Sequence, residues 1–342
     1  MKVLKVILCI GFLVSPHVQA HHSDAGYDHD RLVTFEGVVS RYVFRNPHIM
    51  IYVETGDEQG GITEWEIETG STPIMSRSGW TASMLSPGDV VTVRVHPERS
   101  GAPNAILNVL ETSDGSAWSQ IEVDEEATAS ATSIEGVWKG IGATTGLFRR
   151  QLNEHPLTSV GQEAKERFSY FEDSPIPECV PPQAPDAVIG SIVYLNDIEI
   201  MNDRIIIRSE FFDTVRTVFM DGRDHPDNGE RTNQGHSVGH WENDVLVIDT
   251  TLFSDHPDAN GRGVPAVASK HLTERLRLSD DGTRLIIDFL LEDPEYLAEP
   301  FSASKELMYT PHLEMVTYGC DPVLSRQIGF DTVNDYSEFP RD

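Results

Sequence analysis

Short runs of alternating apolar and polar residues, each ended by a turn signal, fill the second half of the chain. Ten such runs lie between Ile192 and Tyr318, separated by strong turns such as Asp221-Gly222. Alternation with a period of two places one face of each strand in a core and the other toward solvent. The pattern predicts a mostly antiparallel barrel or sandwich over residues 135–342, and we favour a lipocalin-like β-barrel with an interior cavity.

The first half of the chain predicts a smaller and separate β domain over residues 21–115. Three strands, a short helix and two strands follow one another, which is the order of an OB-like five-stranded barrel. A small open sandwich would show similar periodicity. Residues 116–134 are rich in Ser, Thr, Ala, Asp and Glu, as expected of an acidic linker. The predicted fold class is therefore mainly β, with the small barrel preceding the larger one.

The amino terminus has the composition of a secretory signal peptide over residues 1–20. Lys2 and Lys5 precede an apolar run, and Val18-Gln19-Ala20 forms a small-residue cleavage site. No later run of 18 apolar residues exists, so we expect no membrane span in the mature chain. These features predict a periplasmic or secreted protein.

Charge and cysteine content narrow the partners and the chemistry. The formal net charge is −29, so the surface repels phosphate backbones and anionic lipids, and we expect no nucleic-acid partner. In an oxidising compartment, Cys179 and Cys320 are expected to form one disulfide bond. A buried free pair and a thiolate metal site are the alternatives. The sequence does not indicate an oligomeric state.

Cleavage after Ala20 would create a candidate metal site at the new amino terminus. A free amine beside the imidazoles of His21 and His22 can chelate an ion, and His48 is our candidate for a third nitrogen. Such a nitrogen site suits copper, the divalent metal of highest affinity. His29 is a second candidate for the third ligand. The alternative is a solvated terminus with incidental histidines.

Isolated polar residues within the apolar strands are the candidates for ligand contacts in the second barrel. A cavity with a few convergent polar groups would bind a small, mostly apolar molecule. In this hypothesis, which is the leading one, the contacts are Arg216, His236, Asp249, His271 and Arg275. The alternatives are hydrogen-bonded structural histidines, a buried structural pair and a surface ladder of charges.

An enzyme and an interaction module are the two rival functions. As an enzyme, the protein would use His236 or His271 as acid or base in the barrel cavity, with Asp249 as a further catalytic candidate. The sequence has no GxSxG, P-loop, GxGxxG or HExxH motif, so it does not decide whether the protein is an enzyme. A structural envelope module would instead present exposed aromatic residues, with Tyr42, Tyr52 and Trp65 as candidates.

Several short sequence motifs resemble those of known proteins. In the first domain they are His21-His22-Ser23, Asn46-Pro47-His48, Trp65-Glu66, Gly79-Trp80 and Leu85–Asp89. Together they resemble an uncharacterised family of periplasmic bacterial domains. Motifs in the second half of the chain resemble a region that often accompanies this domain: Arg216, Met220–Pro226, Gly235–Glu242, Val247–Thr250, His271, Glu274-Arg275 and Asp293-Pro294.

The resemblance implies secretion and architecture, because the family carries no established activity. His240 departs from the pattern, since relatives are expected to have Arg there. This departure weakens the case for His240 as a functional residue.

Overall fold

The chain folds into two closed β-barrels, a five-stranded one followed by a nine-stranded one. The computed structural model describes residues 26–46, 48–56, 60–119, 129–185, 194–261, 263–323 and 325. The predicted fold class is confirmed, while the predicted signal peptide lies outside the described residues. Within those ranges, no helix combines the length and the apolar character needed to cross a bilayer.

The first barrel consists of five strands that close through a parallel pairing of β3 with β5, in the order β3-β2-β1-β4-β5. A sixth strand extends the sheet beside β5, inside the segment predicted to be a linker. The short helix α1 connects β3 to β4, as predicted, and Trp80 after it is buried in the core. The elements are β1 (Val33–Val43), β2 (Met50–Gly56), β3 (Ile62–Glu68), α1 (Thr72–Arg77), β4 (Val90–Pro97), β5 (Asn104–Thr112) and β6 (Ala117–Ser119).

The second barrel has nine strands, and all neighbours are antiparallel except β10 and β11. These two are parallel because residues 220–235 carry the chain back across the barrel before β11 begins. The strands are β7 (Gly136–Gly140), β8 (Leu195–Ile200), β9 (Arg204–Ser209), β10 (Thr214–Phe219), β11 (His236–Glu242), β12 (Val245–Thr251), β13 (His271–Leu278), β14 (Arg284–Glu292) and β15 (Phe301–Tyr309).

Helices lie between β7 and β8. They are α2 (Gly142–Glu154), α3 (Ser159–Arg167) and α4 (Tyr170–Asp173), followed by a 3-10 turn at Ile176–Glu178; a second 3-10 turn, Phe211–Asp213, precedes β10. The good helix formers from Gln162 to Phe168 predict a helix within residues 157–171, and α3 lies there with its first turn capped by the Thr158 hydroxyl. The helix α2 was not predicted; it docks on β15 through the fully buried Phe148.

Side chains pack the interior of the second barrel. Leu246, Ile248, Leu272 and Leu285 are all fully buried there and belong to one hydrophobic core. The interior therefore holds this core together with a small polar cluster around Arg216.

Residues 311–323, which follow β15 and which we call the carboxyl-terminal arm, contact the first barrel, because the Asn46 side chain donates to the Tyr318 carbonyl. A second contact joins the two barrels directly: the Arg77 guanidinium donates to the Glu210 carboxylate over 2.9 Å. The predicted strand at Met315–Tyr318 is absent, because Glu210 accepts the Val316 amide and Asp213 accepts the Tyr318 amide. Side-chain acceptors thus replace a strand partner in this arm.

The Cys179–Cys320 disulfide is confirmed, with the two Cα atoms 5.8 Å apart and a sequence separation of 141. We expect a double Cys→Ala variant to lose about 2–5 kcal/mol of unfolding free energy, because the bond constrains a long loop in the unfolded chain. Urea denaturation measures the loss. A reductant should destabilise the wild type and leave the double variant unchanged. Equal midpoints for the oxidised wild type and the variant would contradict the prediction.

Candidate functional site

The five residues predicted to line an interior site lie on opposite sides of the barrel wall. Arg216 points into the core, where it contacts Ser237, Thr250 and Glu274. The other four lie on the outer face, because their strand neighbours occupy the inward positions. The prediction of one shared interior site is therefore wrong, and the outward residues are His236, Asp249, His271 and Arg275.

Four polar side chains form a row across neighbouring strands at one end of the outer face. His236 begins β11, Asp249 lies near the end of β12, His271 begins β13 and Glu292 ends β14. The register pairs His271 directly with Glu292 and sets Asp249 diagonally to His271. Such cross-strand and diagonal positions are close enough for side chains to meet.

His225, which the crossover segment 220–235 supplies, completes the row. Its Nδ1 lies 2.8 Å from Nδ1 of His236, and its Nε2 lies 2.8 Å from Oδ1 of Asp249. Oδ2 of Asp249 contacts Nε2 of His271 at 2.6 Å, and Nδ1 of His271 contacts Glu292 at 3.1 Å. We call this continuous chain, His236–His225–Asp249–His271–Glu292, the relay.

Local backbone and ring contacts orient the outer end of the relay. Gly235 has a φ of 68°, and a Cβ there would lie 2.7 Å from the Thr251 carbonyl oxygen, so glycine is needed just before His236. The His236 ring stacks on Phe219 with centroids 5.2 Å apart. The Arg223 guanidinium lies 3.9 Å from the centroid of the Phe219 ring. These contacts hold the His236 imidazole against the barrel.

The surroundings of His236 and His271 shift the pKa values of these two histidines in opposite directions. Hydrogen bonding to His271, aided by His225, lowers the pKa of Asp249 against the effect of burial. The hydrogen bond to Asp249 raises the pKa of His271, and Glu292 adds to this effect. Burial lowers the pKa of His236, assisted by the neighbouring His225 and Arg223. His236 therefore loses its proton at a lower pH than His271 does.

The hydrogen-bond network limits the tautomers. Ionised Asp249 only accepts, so Nε2 of His225 donates to it. In the tautomer in which Nδ1 of His225 accepts from Nδ1 of His236, Nε2 of His236 keeps a free lone pair. That Nε2 has no hydrogen-bond partner within the described part of the chain, whereas both ring nitrogens of His225 and of His271 are engaged.

The Asp249–His271 pair should make the unfolding free energy depend on pH. The pKa of Asp249 is lower in the folded protein than in the unfolded chain, where it is about 3.9. Its carboxylate therefore stabilises the fold at pH values above about 3.9, and this contribution is lost as the pH falls through the folded pKa. The pKa of His271 is higher in the folded protein than in the unfolded chain, where it is about 6.5, so its imidazolium stabilises the fold at pH values below about 6.5, and this contribution is lost as the pH rises through the folded pKa. Stabilisation by the pair should therefore be greatest between these limits.

A double-mutant cycle with Asp249→Asn and His271→Gln checks this expectation. Its coupling free energy should be larger at about pH 5.5 than at about pH 8.5. The matched control is the exposed pair His240–Glu242 on β11, in which Nε2 of His240 lies 3.2 Å from Oε1 of Glu242. A coupling energy that is the same at both pH values would contradict the assignment.

The predicted copper ligands are only partly described. His21 and His22 lie outside the described residues. His48 points its Nδ1 at the Thr69 carbonyl and at the Glu68 carboxylate, each 3.0 Å away. His29 lies instead beside His96, with ring centroids 5.2 Å apart. No group of three or more metal-ligating side chains occurs among the residues that the structure describes.

The aromatic residues expected on an interaction face do not form one. Tyr52 is 8% exposed, and Trp65 packs on Phe35 with ring centroids 4.8 Å apart. The Tyr42 hydroxyl donates to the Thr81 carbonyl. These contacts make the three residues part of the first barrel's own packing and remove the main argument for a structural module.

Sequence reasoning missed His225 and Glu292. His225 stands in the segment Met220–Pro226, which was noted only for its resemblance. Glu292 is the last residue of β14, one residue beyond the strand Arg284–Leu291 that the alternation predicts. Parallel neighbouring strands need a crossover connection between them. Had the parallel pairing of β10 with β11 been predicted, it would have indicated that the connecting residues 220–235, which include His225, cross the barrel.

Comparison with known proteins concerns the first barrel. No curated protein matches the chain. Residues 12–108 match the profile of a family of unknown function, DUF6152. This match agrees with the resemblance of the first domain to an uncharacterised family, and it ends before the barrel that carries the relay.

Proposed function

We propose that the relay is an acid–base catalytic site on the outer face of the second barrel. The observation that carries the proposal is a hydrogen-bonded chain in which His225 and His271 flank the Asp249 carboxylate, and in which the pKa values of His236 and His271 are shifted in opposite directions. Environments that separate the pKa values of neighbouring groups assign one as base and the other as acid. The proposal keeps the enzyme hypothesis and moves its site from the cavity to the surface.

Each member of the relay has a definite chemical role in this proposal. Neutral His236 supplies a lone pair at Nε2 and accepts a proton, whereas His271 holds a proton that it can donate. Asp249 fixes the ring orientation of His225 and stabilises the imidazolium that forms when a proton moves along the chain. Side chains of this kind typically accelerate proton-transfer steps by about 10²–10⁴-fold.

Hydrolysis of p-nitrophenyl acetate at neutral pH tests the proposal. The wild type should hydrolyse this ester faster than free imidazole at the same concentration, and His225→Gln should reduce the rate at least about tenfold. The control is His240→Gln, because His240 lies on the same strand as His236 and its ring hydrogen-bonds to Glu242 rather than to a member of the relay. A wild-type rate equal to that of imidazole, or equal rates for the two variants, would contradict a catalytic relay.

Binding of a small ligand inside the second barrel is a second candidate, supported by unpaired buried atoms. Asn196 is 2% exposed, and among the described residues neither its amide nitrogen nor its amide oxygen has a hydrogen-bond partner; Nη1 of Arg216 also lacks one there. Leaving such groups unpaired costs about 1–3 kcal/mol each, so a bound carbonyl or hydroxyl group would be favoured. Mass spectra under native and denaturing conditions test this, and identical masses would contradict it.

A copper site in the first barrel is the third candidate. The Tyr27 hydroxyl and Nδ1 of His48 both contact the Glu68 carboxylate, at 3.4 and 3.0 Å. Tyr27 therefore lies close to His48. The predicted amino terminus, His21, is six residues before Tyr27, and six residues can span about 20 Å. A mature chain that retains one copper ion, with weaker retention in His48→Ala, is the expected result; a chain that stays metal-free in excess copper contradicts it.

A periplasmic or secreted location is part of the same proposal. The basic and apolar leader supports it, as does the Cys179–Cys320 bond, because such bonds persist in oxidising compartments. Fractionation of cells that express the full chain tests the location.

A further inference from the structure

We propose that Nε2 of His236 is a nucleophile and that the relay transfers acyl groups from uncharged esters through an acyl-imidazole. This inference rests on the proposed catalytic function and adds the attacking atom, the covalent step and the substrate class.

The first support is the arrangement of Asp249, His225 and His236. Oδ1 of Asp249 lies 2.8 Å from Nε2 of His225, and Nδ1 of His225 lies 2.8 Å from Nδ1 of His236. A carboxylate that orients an imidazole, which in turn accepts a proton from the next group, is the general arrangement of an activated nucleophile. Here the activated group is a second imidazole.

The second support comes from the nitrogen atoms that remain available. His225 uses one ring nitrogen on Asp249 and the other on His236. His271 uses one on Asp249 and the other on Glu292. Within the described chain, Nε2 of His236 is thus the one imidazole nitrogen of the relay without a partner, and stacking on Phe219 limits the orientation of its ring.

The charge of the protein indicates the substrate class. The chain has a net charge of −29, and the crossover segment beside His236 contains Asp224 and Asp227, whereas its Asp221 pairs with Arg223. A negative potential lowers the local concentration of phosphate esters and of substrates that carry a carboxylate. Uncharged esters are not repelled, so they are the class that this surface admits.

The covalent step balances without any further reactant. The Nε2 lone pair of His236 attacks the ester carbonyl and forms a C–N bond, the Nδ1 proton passes to His225, and the C–O bond to the alcohol breaks. The alkoxide takes that proton from the His225 imidazolium through solvent. Water then attacks the acyl carbon, the C–N bond breaks, Nδ1 of His236 regains a proton and a carboxylic acid leaves.

Acid-quench peptide mapping after mixing with p-nitrophenyl acetate tests the nucleophile. We expect one acetyl group on His236, a burst of one p-nitrophenolate per chain, and loss of both in His236→Gln. In His225→Gln the acetylation rate should fall at least about tenfold, because the proton acceptor is gone. His240→Gln is the control and should retain the burst and the acetyl group.

The outcomes separate this inference from the proposed function. Ester hydrolysis that depends on His225 but proceeds without acetyl-His236 and survives His236→Gln would overturn the nucleophile and leave acid–base catalysis standing. Acetylation of His236 at the same rate in His225→Gln would overturn activation by the relay. Absence of any hydrolysis above free imidazole would overturn both proposals.

A charged ester tests the substrate class independently. We expect p-nitrophenyl hemisuccinate, which carries a carboxylate, to succinylate His236 several-fold more slowly than p-nitrophenyl acetate acetylates it at low salt. The difference should shrink as added salt screens the charges. Equal rates at low salt would overturn the assignment to uncharged esters.

Discussion

Replacing Asp249 with Asn should slow relay-dependent ester hydrolysis about 10²–10⁴-fold. The carboxylate accepts hydrogen bonds from His225 at 2.8 Å and from His271 at 2.6 Å. An Asn amide has one accepting oxygen and a donating NH₂ group, so one of the two imidazoles loses its acceptor. His225 would then adopt the other tautomer, and it would no longer accept the proton from His236. Steady-state hydrolysis of p-nitrophenyl acetate measures the change.

Asp288→Asn is the matched control for this substitution. Asp288 is also an outward carboxylate of the second barrel, on β14, and it contacts Arg277 and Ser304 rather than the relay. The urea midpoint of Asp249→Asn shows whether the barrel remains folded. A hydrolysis rate equal to that of Asp288→Asn would mean that the Asp249 carboxylate has no catalytic role.

Replacing Glu274 with Gln should destabilise the second barrel by about 3–5 kcal/mol. The Glu274 carboxylate pairs with the Arg216 guanidinium inside the core, where the two side chains are 2% and 4% exposed. Removing the negative charge leaves a buried guanidinium without its counter-ion. The unfolding free energy of the second barrel, followed by urea denaturation, measures the loss.

Two further variants show that the loss comes from the unpaired charge. Glu306→Gln removes a carboxylate from a half-exposed pair with Arg284, and it should leave the midpoint unchanged within error. The double replacement Arg216→Met and Glu274→Leu should recover most of the lost stability, because apolar groups can replace a buried pair. A Glu274→Gln midpoint equal to that of the wild type would contradict a structural role for this ion pair.

Local sequence signals predicted most strands of both barrels. The strands Arg204–Ser209 and His271–Leu278 agree with prediction at both ends, because alternation and strong turns act over a few residues. The helix α2 was missed, since its first turn contains Gly142 and two threonines and its main anchor is distant. Phe148 packs on Phe289 and Phe301, which follow it by more than a hundred residues.

The candidate site was only partly predictable. Period-two alternation places Asp249 and Val247 on one face of β12, and Ile248 and Thr250 on the other. Both faces carry apolar residues, so the pattern does not say which one is the core. The structure decides this, because the inward positions are those fully buried against the opposite wall.

The sequence by itself determined the mainly β class, the order of the two barrels and the pairing of Cys179 with Cys320. It also singled out His236, Asp249 and His271 as isolated polar residues. Only the tertiary structure decided that these three lie outside the barrel, that His225 links two of them, and that Arg216 pairs with Glu274 within it. The reason is physical: strand periodicity is local, whereas facing, register and the path of the crossover depend on contacts between residues far apart in the chain.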